Sequence, residues 1–384
     1  MSWEGVPIIR ATNIFRGSIV SEGLIYAHLT DLPLDRAPLL QAGEILVVRS
    51  GAYTGDSALI TEDWAGSAPG YDLRITPESI DSRFLAYAFL SGPVMHAIDI
   101  ERSRAAQPHL NAEELGRIRI SAPDVGEQRR IADFLEVETA RIDEMEAIQL
   151  SVRSKLDERD RAVLDLELDL LEDAYGFAPF RRSIVRIEQG ASPQCDNVPA
   201  EDEEWGVLKV SSVKHGIFWP DENKRLPDEI LPERRYEIKE GDLLITRANT
   251  PALVGATAVV QTTREKLLLC DKIFRVEVAP HLDPRFLVAV SRGTKIRNLC
   301  AAASHGSSPS MANLKTSDIK EWPIPRVDID TQRQLISRIL KHWEVTEGLR
   351  SAISAQLDRL AERRQALITA AVTGQIDVTT ARGV

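Results

Sequence analysis

Asp228, Glu237 and Lys239 stand in the order PD…ExK. In many nucleases two carboxylates and a lysine so ordered hold magnesium against the phosphate to be cut. A match this short is degenerate. The other signatures of catalysis are missing from the sequence. It contains no GxxxxGK[ST] loop for nucleotide phosphates, no HExxH zinc pair, no GxSxG nucleophile elbow and no [DNS]PP[YFW] run to hold a flipped adenine. Cys195, Cys270 and Cys300 form no CxxC pair, and the seven histidines are scattered. The chain therefore reads as a non-enzyme with no metal or cofactor of its own. A magnesium-dependent nuclease using Asp228, Glu237 and Lys239 is the catalytic alternative.

Other residues are of the types that read nucleic acid. Arginine pairs with guanine edges, asparagine with adenine, and serine, threonine, lysine and glutamine with bases or phosphates. Two loops follow apolar runs: Arg49, Ser50 and Tyr53 after GEILVV, and Arg247, Asn249 and Thr250 after GDLLIT. A second pair of loops carries Gln107 with His109, and Ser307 with Ser308. Lys209, Ser211 and Ser212 form a third polar cluster, in the second half only. Each is also a type found on any solvated loop, so the positions are candidates for DNA contact.

The elements that must carry these loops are organised by an internal repeat. IIRATNIFRG at residues 8–17 lies over VLKVSSVKHG at 207–216, GEILVVRS at 43–50 over GDLLITRA at 241–248, SRFLA at 82–86 over PRFLV at 284–288, and EQRR at 127–130 over TQRQ at 331–334. Leu39 and Gln41 occupy the places of Glu237 and Lys239, so a metal site there is no shared feature of the copies. Each copy runs through short β-rich stretches broken by Gly, Ser and Pro, then a long polar segment. No Pro or Gly interrupts residues 127–172, which as a helix would reach roughly 65–70 Å at about 1.5 Å per residue.

Heptad spacing marks a seam through Ile142, Met145, Gln149, Val152, Leu156, Arg159, Val163, Leu166 and Leu170. A weaker seam passes through Thr346, Leu349, Ile353, Gln356, Leu360, Arg363, Leu367 and Ala370. The net charge of −11 divides as −5 for residues 1–123, −9 for 124–174, +1 for 175–325 and +2 for 326–384. An acidic helix facing a basic one favours pairing with each other over self-pairing. A structural adaptor that never touches DNA is the remaining alternative.

The expected fold is α/β (α+β), with two globular recognition domains at 1–123 and 175–325, two long antiparallel coiled-coil helices at 124–174 and 326–378, and a tail at 379–384. The N-terminus has neither the basic start nor the apolar run of a signal peptide, and unpaired cysteines fit a reducing compartment. The expected location is cytoplasmic.

EQRRIADFLEVETARID at 127–143, RRQALITAAVTGQIDV at 363–378 and GASPQ ahead of WGVLKVSS resemble the specificity subunit of type I restriction-modification systems. The resemblance implies a pseudo-twofold molecule whose two target-recognition domains each read half of a split double-stranded DNA sequence, with helix length as the ruler between them. It implies two DNA-methyltransferase subunits and restriction (motor-nuclease) subunits as partners. S-adenosylmethionine, ATP and magnesium are then expected on those partners. Gln128 with Arg129, and Gln332 with Arg333, open the two helices where methylation subunits would dock. The second domain opens with residues 179–194, for which the first has no counterpart, so the first recognition domain is expected to be shortened.

Overall fold

The computed structural model describes residues 5–102, 108–303 and 311–379. The chain folds as two compact units, Met1–Ser151 with Ala352–Val384, and Val152–Ser351. The elements of each unit follow the same order, as the repeat predicts.

In the first unit the central strand is Ile45–Val47, flanked antiparallel by Ser57–Leu59 and Leu73–Ile75. Its side chains alternate between two cores. Ile45 and Val47 pack with Leu85, Phe89 and Val94, while Leu46 and Val48 pack with Ile9, Ile14 and Leu40. A strand buried on both faces must be apolar at every position, which is why it reads as a run and not as an alternation. Leu243–Thr246 is its counterpart in the second unit, with Leu243 and Ile245 in one cluster and Leu244 in the other. There the sheet has a fourth strand, Ile184–Gln189, paired to Ile273–Val278. Among the described residues the first unit's sheet has three.

Helices α1 (Ser82–Phe89), α2 (Gly92–Arg102) and α3 (Ala112–Gly116) lead to the long α4 (Val125–Tyr175). Their counterparts are α5 (Pro284–Arg292), α6 (Thr294–Ala302), α7 (Thr316–Lys320) and the long α8 (Ile329–Val372). Asp81 caps α1 by accepting from the Arg83 and Phe84 N–H groups, and Asp283 caps α5 by accepting from Arg285.

The long helices pair antiparallel within each unit. In the first, Ile131, Ala132 and Leu135 of α4 pack against Ile368, Ala371 and Val372 of α8. Arg364 is ion-paired to Asp143. In the second, Asp157 pairs with Arg350 at 2.8 Å and Glu167 with Arg338 at 2.7 Å, so partners on α8 fall as those on α4 rise. An acidic α4 and a basic α8 thus meet as their charges require.

The seam itself differs from the heptad expectation. Ile142, Leu156, Thr346 and Ile353 are buried, but Leu166 and Leu170 are 62% and 57% exposed and Leu349 is exposed too. The buried stripe passes instead through Asp160, Leu164 and Leu171. From Ile131 to Leu171 it follows about 3.6 residues per turn, the period of a straight helix, so it drifts away from a strict seven-residue repeat.

Candidate nucleic-acid interface

The loop after each central strand is fixed by a returning segment of chain. In the first unit Ser50 bridges to His109, and the Leu110 N–H donates to the Arg49 carbonyl at 2.8 Å. In the second, Ala248–Asn249 pairs antiparallel with Ala312–Asn313, and the Leu314 N–H donates to the Arg247 carbonyl, also at 2.8 Å. Arg49 and Arg247 therefore occupy equivalent places. Each has its backbone held by a ladder and its side chain half-exposed.

In the first unit the structure gathers Arg49, Ser50, Tyr53 and His109 into one surface. Arg49 Nε donates to His109 Nε2 at 3.2 Å, and its guanidinium lies 4.8 Å from the centre of the Tyr71 ring. Asp72 accepts the Arg49 backbone N–H at 3.2 Å. Burial pushes the Asp72 carboxyl above its ordinary value, against that hydrogen bond. Tyr53 meets Phe15 edge-on with ring centres 6.4 Å apart, and Arg16 lies 5.5 Å over the same Phe15 ring. Sequence reasoning missed Phe15, Arg16 and Tyr71. Tyr71 is 79% exposed, and its only sequence signal is the Pro69-Gly70 turn that precedes it.

In the second unit Arg247 has no ion-pair partner among the described residues, and Thr250 is exposed. Asn249 is buried. Its Oδ1 accepts the Thr250 N–H at 2.8 Å, while Nδ2 has no acceptor among the described residues. Lys209 and Ser211 are drawn to Glu222, at 3.9 Å and 2.5 Å, and Lys214 lies 4.8 Å over the Trp219 ring. Gln107, Ser307 and Ser308 lie outside the described residues.

Three sequence-based assignments need correction. Ser212 is fully buried beneath the second unit's polar cluster, so its hydroxyl cannot reach a ligand. Gln128 and Gln332 are 3% and 2% exposed, and their amides are used inside the fold. Gln128 accepts from Asp81 N–H and donates to the Pro123 carbonyl. Gln332 accepts from Asp283 N–H and donates to the carbonyls of His281 and Val327. Both glutamines tie a domain helix to a long helix, whereas Arg129 and Arg333 beside them remain exposed. Glu237, of the PD…ExK run, accepts the Lys266 backbone N–H at 2.8 Å. Among the described residues no group of three or more His, Cys, Asp or Glu side chains is placed to hold a metal ion.

Residues 4–152 match the family described as the type I restriction modification DNA specificity domain. The type I restriction enzyme EcoEI specificity subunit of Escherichia coli is 33% identical over 181 residues, 46% of this chain and 30% of that protein. The EcoKI specificity subunit of Escherichia coli (strain K12) is 21% identical over 387 residues, covering 97% of this chain and 82% of that subunit.

The chain is similar to type I restriction-modification specificity subunits, and its residues 4–152 match their specificity domain. A solved structure described as "Structural basis underlying complex assembly and conformational transition of the type I R-M system" shares the fold, with a TM-score of 0.65 at 16% identity over 97% of this chain and 92% of that one. The strong EcoEI similarity spans less than a third of that relative, while the EcoKI alignment runs through both copies of the repeat. Asp228 is an exposed turn residue, Lys239 is exposed, and Glu237 is committed to the Lys266 backbone N–H.

Proposed function

We propose that this chain is the sequence-specific DNA-recognition subunit of a type I restriction-modification complex, reading a bipartite double-stranded target. The observation that carries this reading is the duplicated recognition loop. Arg49 and Arg247 sit on equivalent backbone supports, each beside side chains able to contact base edges or phosphates. Rigid supports with variable loop tips suit base readout, because the backbone does not move when the side chains at the tips change. In the first half-site Arg49, Ser50, Tyr53, Gln107 and His109 touch the DNA. In the second the residues are Lys209, Ser211, Arg247, Asn249, Thr250, Ser307 and Ser308. The unpaired Nδ2 of Asn249 is a donor that a base acceptor would satisfy.

Residues 1–123 and 175–325 serve as the recognition domains, and the helices at 124–174 and 326–378 as the spacer that sets half-site separation. Arg129 and Arg333 dock two DNA-methyltransferase subunits, and restriction subunits join for cleavage. S-adenosylmethionine, ATP and magnesium belong to those partners, and the complex works in the cytoplasm. No helix among the described residues is long and apolar enough to cross a membrane. Because the recognition domains are acidic and near neutral, the isolated chain binds DNA weakly, and its partners supply much of the grip on the phosphates.

The test is substitution at one loop at a time in the chain co-purified with a methylation subunit. Arg247→Ala should weaken binding to the cognate duplex by roughly 5- to 100-fold and relax base preference in one half-site only. Arg49→Ala should do the same in the other half. Unchanged affinity in both variants would favour the adaptor reading.

A further inference from the structure

A cavity of about 550 Å³ in the second unit is lined by Arg161 of α4, Arg292 of α5, Arg297 of α6, His215 and the Pro251-Ala252 turn. None of the three arginines forms an ion pair among the described residues. Arg292 lies over Trp343, 3.6 Å from the ring centre, and donates no hydrogen bond within the described residues. Arg297 donates to the Val254 and Ala252 carbonyls at 2.7 and 3.0 Å. Asp157 and Asp160 also line the cavity, together with Arg350, which pairs with both.

Burial draws the Arg292 guanidinium down to about 10, although the attraction of Asp160 outweighs the repulsion of Arg350. His215 is pushed down to about 4 by burial and by Arg297, Arg292 and Arg161 together, against its hydrogen bond to Ala252. Its Nδ1 is buried without a partner. A guanidinium that donates to no acceptor among the described residues keeps five N–H donors open to an anion.

The internal repeat is a control for what the fold itself requires. The first N–H of α6, at Thr294, is accepted by Asp165, and the first N–H of α2, at Gly92, by Thr369, so these positions are equivalent. Counting from them, Leu90 stands where Arg292 does, Met95 where Arg297 does, and Gln365 where Arg161 does. The same architecture closes with one leucine, one methionine and one glutamine, whose amide bonds the Leu90 carbonyl at 2.7 Å. The architecture therefore does not demand Arg161 or Arg292, whereas Arg297 also holds the Val254 and Ala252 carbonyls.

We propose that this cavity is a phosphate-binding site, present in the second unit alone, in which Arg161, Arg292 and Arg297 grip a phosphate group. The phosphate comes either from the backbone of bound DNA, since the Pro251-Ala252 wall continues directly from Asn249 and Thr250, or from a free phosphate. The DNA source rests on the recognition reading, whereas the free-phosphate source does not.

The repeat also supplies the test variant: Arg161→Gln, Arg292→Leu and Arg297→Met combined, each replacement being the residue of the first unit. Inorganic phosphate titrated calorimetrically into the full chain should bind with a dissociation constant of about 1 mM or tighter, and at least tenfold more weakly in the triple variant. Its melting temperature in phosphate-free buffer should be unchanged. If the triple variant melts early, the single Arg292→Leu replaces it, because Arg292 donates no hydrogen bond within the described residues. In the complex with a methylation subunit, the slope of log affinity for DNA against log salt should fall in magnitude by about 0.9 for each phosphate that the variant no longer neutralises. A changed slope without free-phosphate binding assigns the site to DNA, and phosphate binding with an unchanged slope assigns it to a free anion. If the wild-type complex binds no DNA, the recognition reading fails and the phosphate titration alone decides the site. Neither phosphate binding nor a slope change would overturn the proposal.

Discussion

The side-chain oxygen of Gln332 accepts the Asp283 backbone N–H at 2.8 Å. The bond joins the cap of α5 to the first turn of α8, and Gln128 makes the same bond to Asp81 at the same distance. The chain thus locks the short helix of each unit to a long helix with one buried amide. Replacing Gln332 with Ala leaves the Asp283 N–H and the His281 carbonyl buried without it. Urea unfolding should show a loss of about 2 kcal/mol. A loss under about 0.5 kcal/mol would mean that the link is ornamental.

The drift of the buried helix stripe is tested by a pair of leucines two residues apart. Leu164 is buried and belongs to the second unit's core, whereas Leu166 is exposed. Leu164→Ala should cost about 3 kcal/mol and Leu166→Ala no more than about 0.5 kcal/mol. A strict heptad seam requires the reverse order.

That contrast also marks how far the sequence could be read. The repeat, the doubly buried strands and the two helices were legible because apolar runs and uninterrupted polar stretches leave plain patterns. The register was not. Asp160 lies in the buried stripe, where Arg350 and Thr346 donate to its Oδ2 and His342 Nε2 lies 2.8 Å from its Oδ1, and a charged residue in that position reads as solvent-facing. The same limit applies at the interface. Arg49 and Ser50 meet His109 across the loop, whereas Tyr71 reaches Arg49 and Phe15 reaches Tyr53 only through turns far apart in sequence. Gln128 and Gln332 looked like exposed helix starts because nothing local reveals which face of a first turn will be covered.

Ser212 gives a prediction of opposite sign to most substitutions. Its hydroxyl is buried with no hydrogen-bond partner, so Ser212→Ala removes a desolvated polar group. Thermal unfolding should show stability unchanged or raised by about 1 kcal/mol, with DNA affinity of the complex unaltered. A selective loss of DNA affinity would return Ser212 to the interface.

Stability in mildly acidic solution should depend on His215. Its folded value of about 4 lies below the ordinary 6.5. Between those values the unfolded chain carries a proton that the folded chain does not, so stability rises with pH across that window and falls as pH drops from 6.5 towards 4. His215→Gln should remove one proton's worth of this slope when wild type and variant are compared at each pH. Parallel profiles would contradict a neutral, buried imidazole.

The central claim is that this chain gives a methylating complex its sequence. Single-molecule methylome sequencing of cells expressing it with a methylation subunit, beside cells lacking it, tests that claim most directly. The account predicts adenine methylation at a split motif that vanishes without this chain, with Arg247→Ala altering one half and Arg49→Ala the other. A folded complex that adds no methylated motif, or whose motif ignores both substitutions, would contradict it.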